Sequence, residues 1–177
     1  MPEAVETVVV GGGHAGLATS CWLSAEGCEH VVLERGRVAE RWRSERWDSF
    51  TLQAPNWDAT LPGSAFDNGD PDGFARRDEI IEWLCSYACA IEAPVRTGCR
   101  VRRIHPSGNG RWLVEAESGV LEAVNVVVAT GPYQVPVIPS FSRAIPGGIA
   151  QIAATDFKNA GEIPPGACLV VGSGSSG

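Results

Sequence analysis

Residues 7–16, TVVVGGGHAG, run a β-branched apolar stretch straight into a glycine-rich turn. Thr7 to Val10 suits a strand buried on both faces of a parallel sheet. The following LATSCWLSAEG places Leu17, Cys21 and Leu23 with small Ala15 and Ala18, a pattern that fits a helix packed tightly on that sheet. The turn matches GxGxxG at Gly11, Gly13 and Gly16, and the three glycines serve, in order, the tight turn, backbone approach to a pyrophosphate, and close helix-to-strand contact. The helix start, at His14 and Ala15, offers N–H groups with no partner inside the helix, and these suit phosphate oxygens. His14 itself reads as a turn residue rather than an acid or base. A second apolar strand, HVVLE (30–34), delivers Glu34 18 residues beyond Gly16, where a carboxylate accepts hydrogen bonds from ribose hydroxyls and repels a 2′-phosphate. The unit therefore predicts a site for the adenosine of FAD or NAD; the alternative is a similar turn with no ligand.

The whole chain is 177 residues with a formal charge of −7, 44% apolar and 20% charged residues, enough for one full domain and part of another. The acidic balance disfavours nucleic acid as a partner, because phosphate binding relies on clustered Lys and Arg. No segment approaches the ~18 consecutive apolar residues that a membrane span requires, and no basic stretch followed by an apolar core opens the chain. A cytoplasmic protein with no membrane partner is expected. The six cysteines form no CxxC and no zinc spacing, so no metal and buried, reduced thiols are expected, although Cys85 and Cys89 fall four apart on a predicted helix where they could meet. The one basic run, Arg35 to Arg46, is interleaved with Trp42 and Trp47. It suits a flavin or nucleotide pocket first, a solvated loop second and nucleic acid last.

The middle of the chain separates FAD from NAD. Residues 75–93 repeat apolar side chains at Ile80, Leu84, Tyr87, Ala88 and Ile91, the period of a one-sided helix, with Asp78 as its N-cap. VRTGCRVRRIH, RWLVEAE and GVLEAVNVVVATG then read as three strands parted by SGNG and SG turns, an antiparallel meander inserted into a parallel sheet. A plain NAD-binding domain would continue alternating strand and helix. After the third strand, Ala129, Thr130 and Gly131 are small enough for a second backbone segment to approach a bound cofactor. The expected fold class is α/β, a Rossmann-like FAD-binding domain with a meander insertion, followed by the start of a second nucleotide-binding domain.

GGGHAG, Glu34, ERWRSERWDSF, the meander and ATGPY together resemble the FAD-binding part of two-dinucleotide flavoproteins, and within them the flavin-containing monooxygenase and Baeyer–Villiger group. The resemblance runs through essentially the whole chain. It implies FAD along the first helix N-terminus, Glu34 on the adenosine ribose, Arg41 and Trp42 near pyrophosphate and ribityl, and Val101 touching adenine through its backbone. Arg35 joins these candidates; the pocket reading is favoured, with Trp42 and Trp47 as packing residues and Arg41 as a surface charge the alternative.

Near the end, Ala167 to Val171 reads as another strand, and Gly172, Gly174 and Gly177 again fit GxGxxG. GSGSSG also has the look of a flexible linker, but the preceding LVV run favours a nucleotide turn. The resemblance makes this the pyrophosphate turn for NADPH. The expected organisation is an FAD domain over 1–140, a linker over 141–165, and the first strand and turn of an NADPH domain over 166–177, with the rest truncated and an exposed apolar strand that could drive a homodimer. Two departures weaken monooxygenation more than flavin binding. Gln53 stands where the family often has Asn facing the flavin, and is equally well a backbone-bonded loop residue; Ala153 stands where a His is usual. The expected parent activity is FAD- and NADPH-dependent oxidoreduction, monooxygenation first, with a flavin reductase or a non-catalytic FAD module as alternatives. A flavin disulfide reductase lacks its cysteine pair here. The substrate is not legible.

Overall fold

The computed structural model describes residues 2–132, 135–174 and 176. In chain order its elements are β1 (Glu3–Val10), α1 (His14–Ala25), β2 (His30–Leu33), α2 (Glu40–Ser44), β3 (Thr60–Leu61), β4 (Ser64–Ala65), α3 (Arg77–Ala90), β5 (Val95–Arg96), β6 (Val101–Pro106), β7 (Trp112–Ala116) and β8 (Gly119–Val128). The main sheet has the order β5-β2-β1-β8-β7-β6. Strands β5, β2, β1 and β8 pair in parallel, whereas β8, β7 and β6 form the antiparallel meander. Strand β8 belongs to both parts: Gly119 to Ala123 pair with β7, and Leu121 to Val128 pair with β1. The meander thus grows out of the strand that lies beside β1, which carries the turn after β8 to the same sheet end as the first glycine turn. This is the Rossmann-like α/β fold the sequence predicts.

Two apolar clusters hold the sheet. Leu17 of α1 clusters with Ile80, Ile81, Leu84 and Tyr87 of α3, with Leu61 of β3 and with Phe66 just after β4. The other cluster joins Val8, Val10, Val31 and Leu33 of the parallel strands to Val114, Leu121 and Ala123 of the meander. Each fully buried Val or Leu stabilises the fold by about 1.5–3 kcal/mol relative to exposure. Beyond β8 the chain turns back over the 44–48 loop. The Asp48 N–H donates to the Lys158 carbonyl (2.8 Å), the Lys158 ammonium reaches the Ser44 carbonyl, and Asn159 Nδ2 donates to Asp48 Oδ2 (2.9 Å).

Four expectations are corrected. The long strand expected over 95–105 is two: Val95–Arg96 adds to the parallel sheet beside β2, and Gly98, at φ +65°, turns the chain into β6. Asp78 is not the N-cap of α3; Arg76 is, and the Glu79 carboxylate reaches back to accept from the Arg76 N–H at 2.7 Å. The strand expected at Ala167 to Val171 does not form; these residues lie outside any sheet, with Leu169 84% exposed, because among the described residues no partner strand is alongside to satisfy their backbone groups. Of the six thiols, all of them free, Cys99 alone is buried; Cys89 and Cys168 are exposed.

Candidate dinucleotide site

The glycine turn is built by mutual approach of two backbone segments. The Gly11 N–H donates to the Leu33 carbonyl (2.9 Å), and the Ala129 N–H donates to the Val10 carbonyl (2.8 Å), so the turns after β1 and β8 lie side by side. Gly11 has φ +117°, and a Cβ there would lie 2.5 Å from the Ala129 carbonyl oxygen. A Cβ on Gly16 would drive into the Gly11 carbonyl, 3.0 Å from its carbon and closer still to its oxygen. Gly11 and Gly16 therefore perform the turn and packing roles that the spacing assigns them.

Gly13 is different. It is the extended N-cap of α1 and makes no side-chain cap; a Cβ on it would meet nothing within 4 Å. The first turn of α1 consequently faces open space with its N–H donors and positive dipole end uncapped by any side chain. That arrangement fits a pyrophosphate, and Ala15 belongs to the same first turn. His14 is the first helical residue; its Nε2 lies 3.0 Å from the Thr60 carbonyl, which ties the turn to the 56–61 loop.

Glu34 follows β2 and is 8% exposed. Its Oε2 accepts from the Gly12 N–H at 2.7 Å and its Oε1 from the Gly36 N–H at 2.9 Å. Each carboxylate oxygen retains a second lone pair, so a ribose diol can be added without breaking either bond. The Cys99 N–H donates to the Glu34 carbonyl (2.8 Å), which brings Val101, two residues later and half-buried, to the Glu34 end of the cradle.

The basic segment wraps the opposite rim. Glu45 binds Arg35 through Oε1 (2.6 Å) and Arg41 through Oε2 (2.5 Å), and Arg41 Nη1 donates to the Pro132 carbonyl (2.6 Å). A Cβ on Gly131, where φ is +77°, would lie 3.4 Å from Arg41 Nη1. Arg41 thus spans from α2 to the Pro132 carbonyl, just beyond the turn of Ala129, Thr130 and Gly131. Gln53 is exposed, on the loop beyond Trp42.

Two residues of this rim escape a sequence reading. Ala39 is buried and left-handed, φ +61°, and its N–H donates to the Gly12 carbonyl at 3.2 Å; alanine gives no signal of that conformation. A Cβ on Gly36 would lie 2.5 Å from Glu40 Cγ. Glu40 in turn binds Arg37 at 2.9 Å, and that hydrogen bond lowers its carboxyl to about 2 against the opposing effect of burial. The sign follows directly: a carboxyl depressed when folded adds stability above its ordinary value near 4.5, which is lost as pH falls toward 2. Urea unfolding should show Glu40→Gln costing stability at pH 6 but much less at pH 3; equal losses at both would mean the pair does not set this acid dependence.

Trp42, Leu52, Ala54, Ile80, Trp83 and Leu84 wall an apolar cavity of about 180 Å³, with His14 and the exposed Asp58 as its polar lining. None of the lining residues is a cysteine. Among the described residues no group of three metal-ligating acids, histidines or cysteines converges, and no helix is long and apolar enough to cross a membrane.

At the second turn Gly172 has φ +117°, the value found at Gly11, while Gly174 has open space where a Cβ would stand. Gly177 lies outside the described residues.

Residues 8–177 match the family model described as pyridine nucleotide-disulphide oxidoreductase, so the chain belongs to that family. Within it, the chain is 34% identical to a CzcO-like oxidoreductase from Geobacillus kaustophilus, over 100% of this chain and 50% of the relative. It is 31% identical to the indole-3-pyruvate monooxygenase YUCCA1 of Oryza sativa subsp. japonica, over 96% of this chain and 42% of that protein. The chain spans about half the length of the curated relatives it matches. A solved flavin-containing monooxygenase from Stenotrophomonas maltophilia superposes with TM-score 0.65 at 29% identity, covering 73% of this chain and 39% of that one. A steroid monooxygenase bound to NADP shares the fold with TM-score 0.68 at 23% identity, covering 77% and 28%.

Proposed function

We propose that the first cradle binds FAD and that the protein is an NADPH-dependent flavin oxidoreductase of the monooxygenase type. The observation that carries this is the uncapped, open N-terminus of α1 at Gly13, with the buried Glu34 carboxylate at one end of it and the Arg41 bridge to Pro132 at the other. Glu34 would hold the adenosine ribose, Val101 would approach the adenine, and the α1 donors from Gly13 to Gly16 would hold the pyrophosphate. Arg35, Arg41 and Trp42 would line the stretch toward the flavin, with Ala129 to Gly131 keeping the backbone close and water out. When bound, FAD supplies the redox chemistry, accepting a hydride from the nicotinamide and passing electrons to dioxygen. The protein's own share is binding, orientation and exclusion of water.

Monooxygenation is favoured because a relative 31% identical over 96% of this chain is a monooxygenase, as is a solved structure 29% identical over 73% of it. On this reading the chain divides into an FAD domain over 1–140, a linker over 141–165, and the first part of an NADPH domain over 166–177, whose turn contributes Gly172, Gly174 and Gly177. It works in the cytoplasm without nucleic acid or membrane, and the exposed apolar residues of its last segment favour a homodimer. The test is aerobic NADPH oxidation by the FAD-reconstituted full-length protein, with NADH as control. NADPH-preferring, oxygen-dependent turnover supports the assignment; NADPH-driven disulfide cleavage without oxygen uptake would replace it with a reductase.

A further inference from the structure

The rim that carries Arg41 and Trp42 hangs on a very short helix. α2 has five residues, none of them buried, and it starts at the left-handed Ala39 with no side-chain cap. So short a helix does not sustain itself in water, and α2 keeps its place through what packs on it. Toward α3, Trp42 leans on the helical cluster and Arg43 Nη2 donates to Cys85 Sγ at 3.1 Å. The last turn is held from 114 residues away, where the Lys158 ammonium donates to the Ser44 carbonyl. That carbonyl belongs to the end of α2, where backbone acceptors lack a partner inside the helix and a cation meets the negative end of the helix dipole.

Lys158 is itself pinned. Its carbonyl accepts from the Asp48 N–H (2.8 Å), its ammonium also donates to the Thr155 carbonyl (3.3 Å), and its N–H donates to Glu162 Oε2 (2.9 Å). Beside it, Asn159 Nδ2 donates to Asp48 Oδ2 (2.9 Å), while Asp48 Oδ1 takes Arg77 Nη1 at the start of α3 (2.9 Å). Residues 155–162 are thus latched across the 44–48 loop. Lys158 is also the only lysine in a chain whose other basic side chains of this kind are arginines. A compact ammonium with three donors serves two carbonyls at once, a task for which the planar guanidinium fork is less suited.

We propose that Lys158 is a positioning residue for the dinucleotide cradle: by capping α2 it sets Arg41 and Trp42, so that cofactor binding and latching of residues 155–162 favour one another. The inference rests on the flavoenzyme reading above. If FAD binds more tightly with the latch closed, linkage requires that bound FAD hold the latch closed by the same factor.

Three measurements on the whole chain test this. Flavin fluorescence titration should show Lys158→Met binding FAD about tenfold more weakly than the unsubstituted protein, and Lys158→Arg, which keeps charge and donors, should recover most of that loss. Without FAD, amide exchange in Lys158→Met should be faster at Trp42, Arg43 and Glu45, whose N–H groups bond back to Ala39 and Arg41, and unchanged in β1. A lysine-specific protease can cut this chain once, after Lys158, and saturating FAD should slow that cut about tenfold as the unlatched population falls. FAD affinity unchanged by Lys158→Met, a loss that Lys158→Arg does not reduce, or cleavage at the same rate with and without FAD would overturn the proposal. So would faster exchange in β1 as well as α2, which would make Lys158 a support of the whole fold. A folded protein that takes up no FAD would defeat the flavoenzyme reading and the coupling with it, whereas FAD binding indifferent to Lys158 would defeat the coupling alone.

Discussion

Gly16→Ala is expected to lower folding stability by about 3 kcal/mol and to abolish dinucleotide binding. The added methyl would enter the carbonyl of Gly11, which is backbone and is itself fixed by its N–H bond to Leu33 and by the turn at Ala129. Neither neighbour can rotate away as a side-chain end could, so α1 must lift from β1. Because α1 carries Leu17, at the centre of the α-helical cluster, the displacement opens the core as well as the cradle. For a chain of this size the midpoint of thermal unfolding should fall by roughly 6–12 °C. Gly13→Ala is the matched control: its Cβ meets nothing within 4 Å in the ligand-free protein, so it should leave the melt nearly unchanged while weakening cofactor binding. Equal melts for Gly16→Ala and Gly13→Ala would mean that α1 and β1 are not packed as described.

Glu34→Ala should destabilise the protein even without a ligand. Its carboxylate satisfies the N–H groups of Gly12 and Gly36, and the substitution strands both beside a largely buried position. At about 1–3 kcal/mol for each group left unpaired, a loss of roughly 2–6 kcal/mol is expected. Glu34→Gln should be milder, since one amide oxygen still accepts while its NH₂ opposes the second donor. Both variants should weaken FAD binding by more than tenfold, because the cradle loosens and the ribose loses its acceptor. Urea unfolding of the flavin-free protein separates the two roles. A residue that served the ribose alone would leave that unfolding curve unmoved.

Much of this site is legible in the chain because it depends on local rules. Three glycines at fixed spacing after a β-branched run, and an acid at the end of the next strand, specify strand, turn, helix and ribose partner by sterics and hydrogen bonding within 34 residues. The meander is legible from alternation and from the turns at Gly108, Gly110 and Gly119, all of which take positive φ. Other features depend on what lies across space. Nothing in VRTGCRVRRIH tells that Val95–Arg96 finds the edge of β2, and nothing in alanine marks Ala39 as left-handed under Gly12. The LVV run at 169–171 shows the converse: an apolar β-branched pattern makes a strand only where a neighbour accepts its backbone bonds, and here it lies exposed. The rim of arginines is legible as composition, but that Glu45 pairs with both Arg35 and Arg41 is set by geometry alone.

The central claim is that the cradle of Gly11 to Gly16, Glu34 and the 129–131 turn holds FAD. The most direct measurement is the flavin content of the protein after incubation with FAD and gel filtration, read from the ratio of visible flavin absorbance to protein absorbance. One flavin per chain, reduced to a small fraction in Glu34→Ala, is the predicted result. A folded protein that carries no flavin at saturating FAD would contradict it.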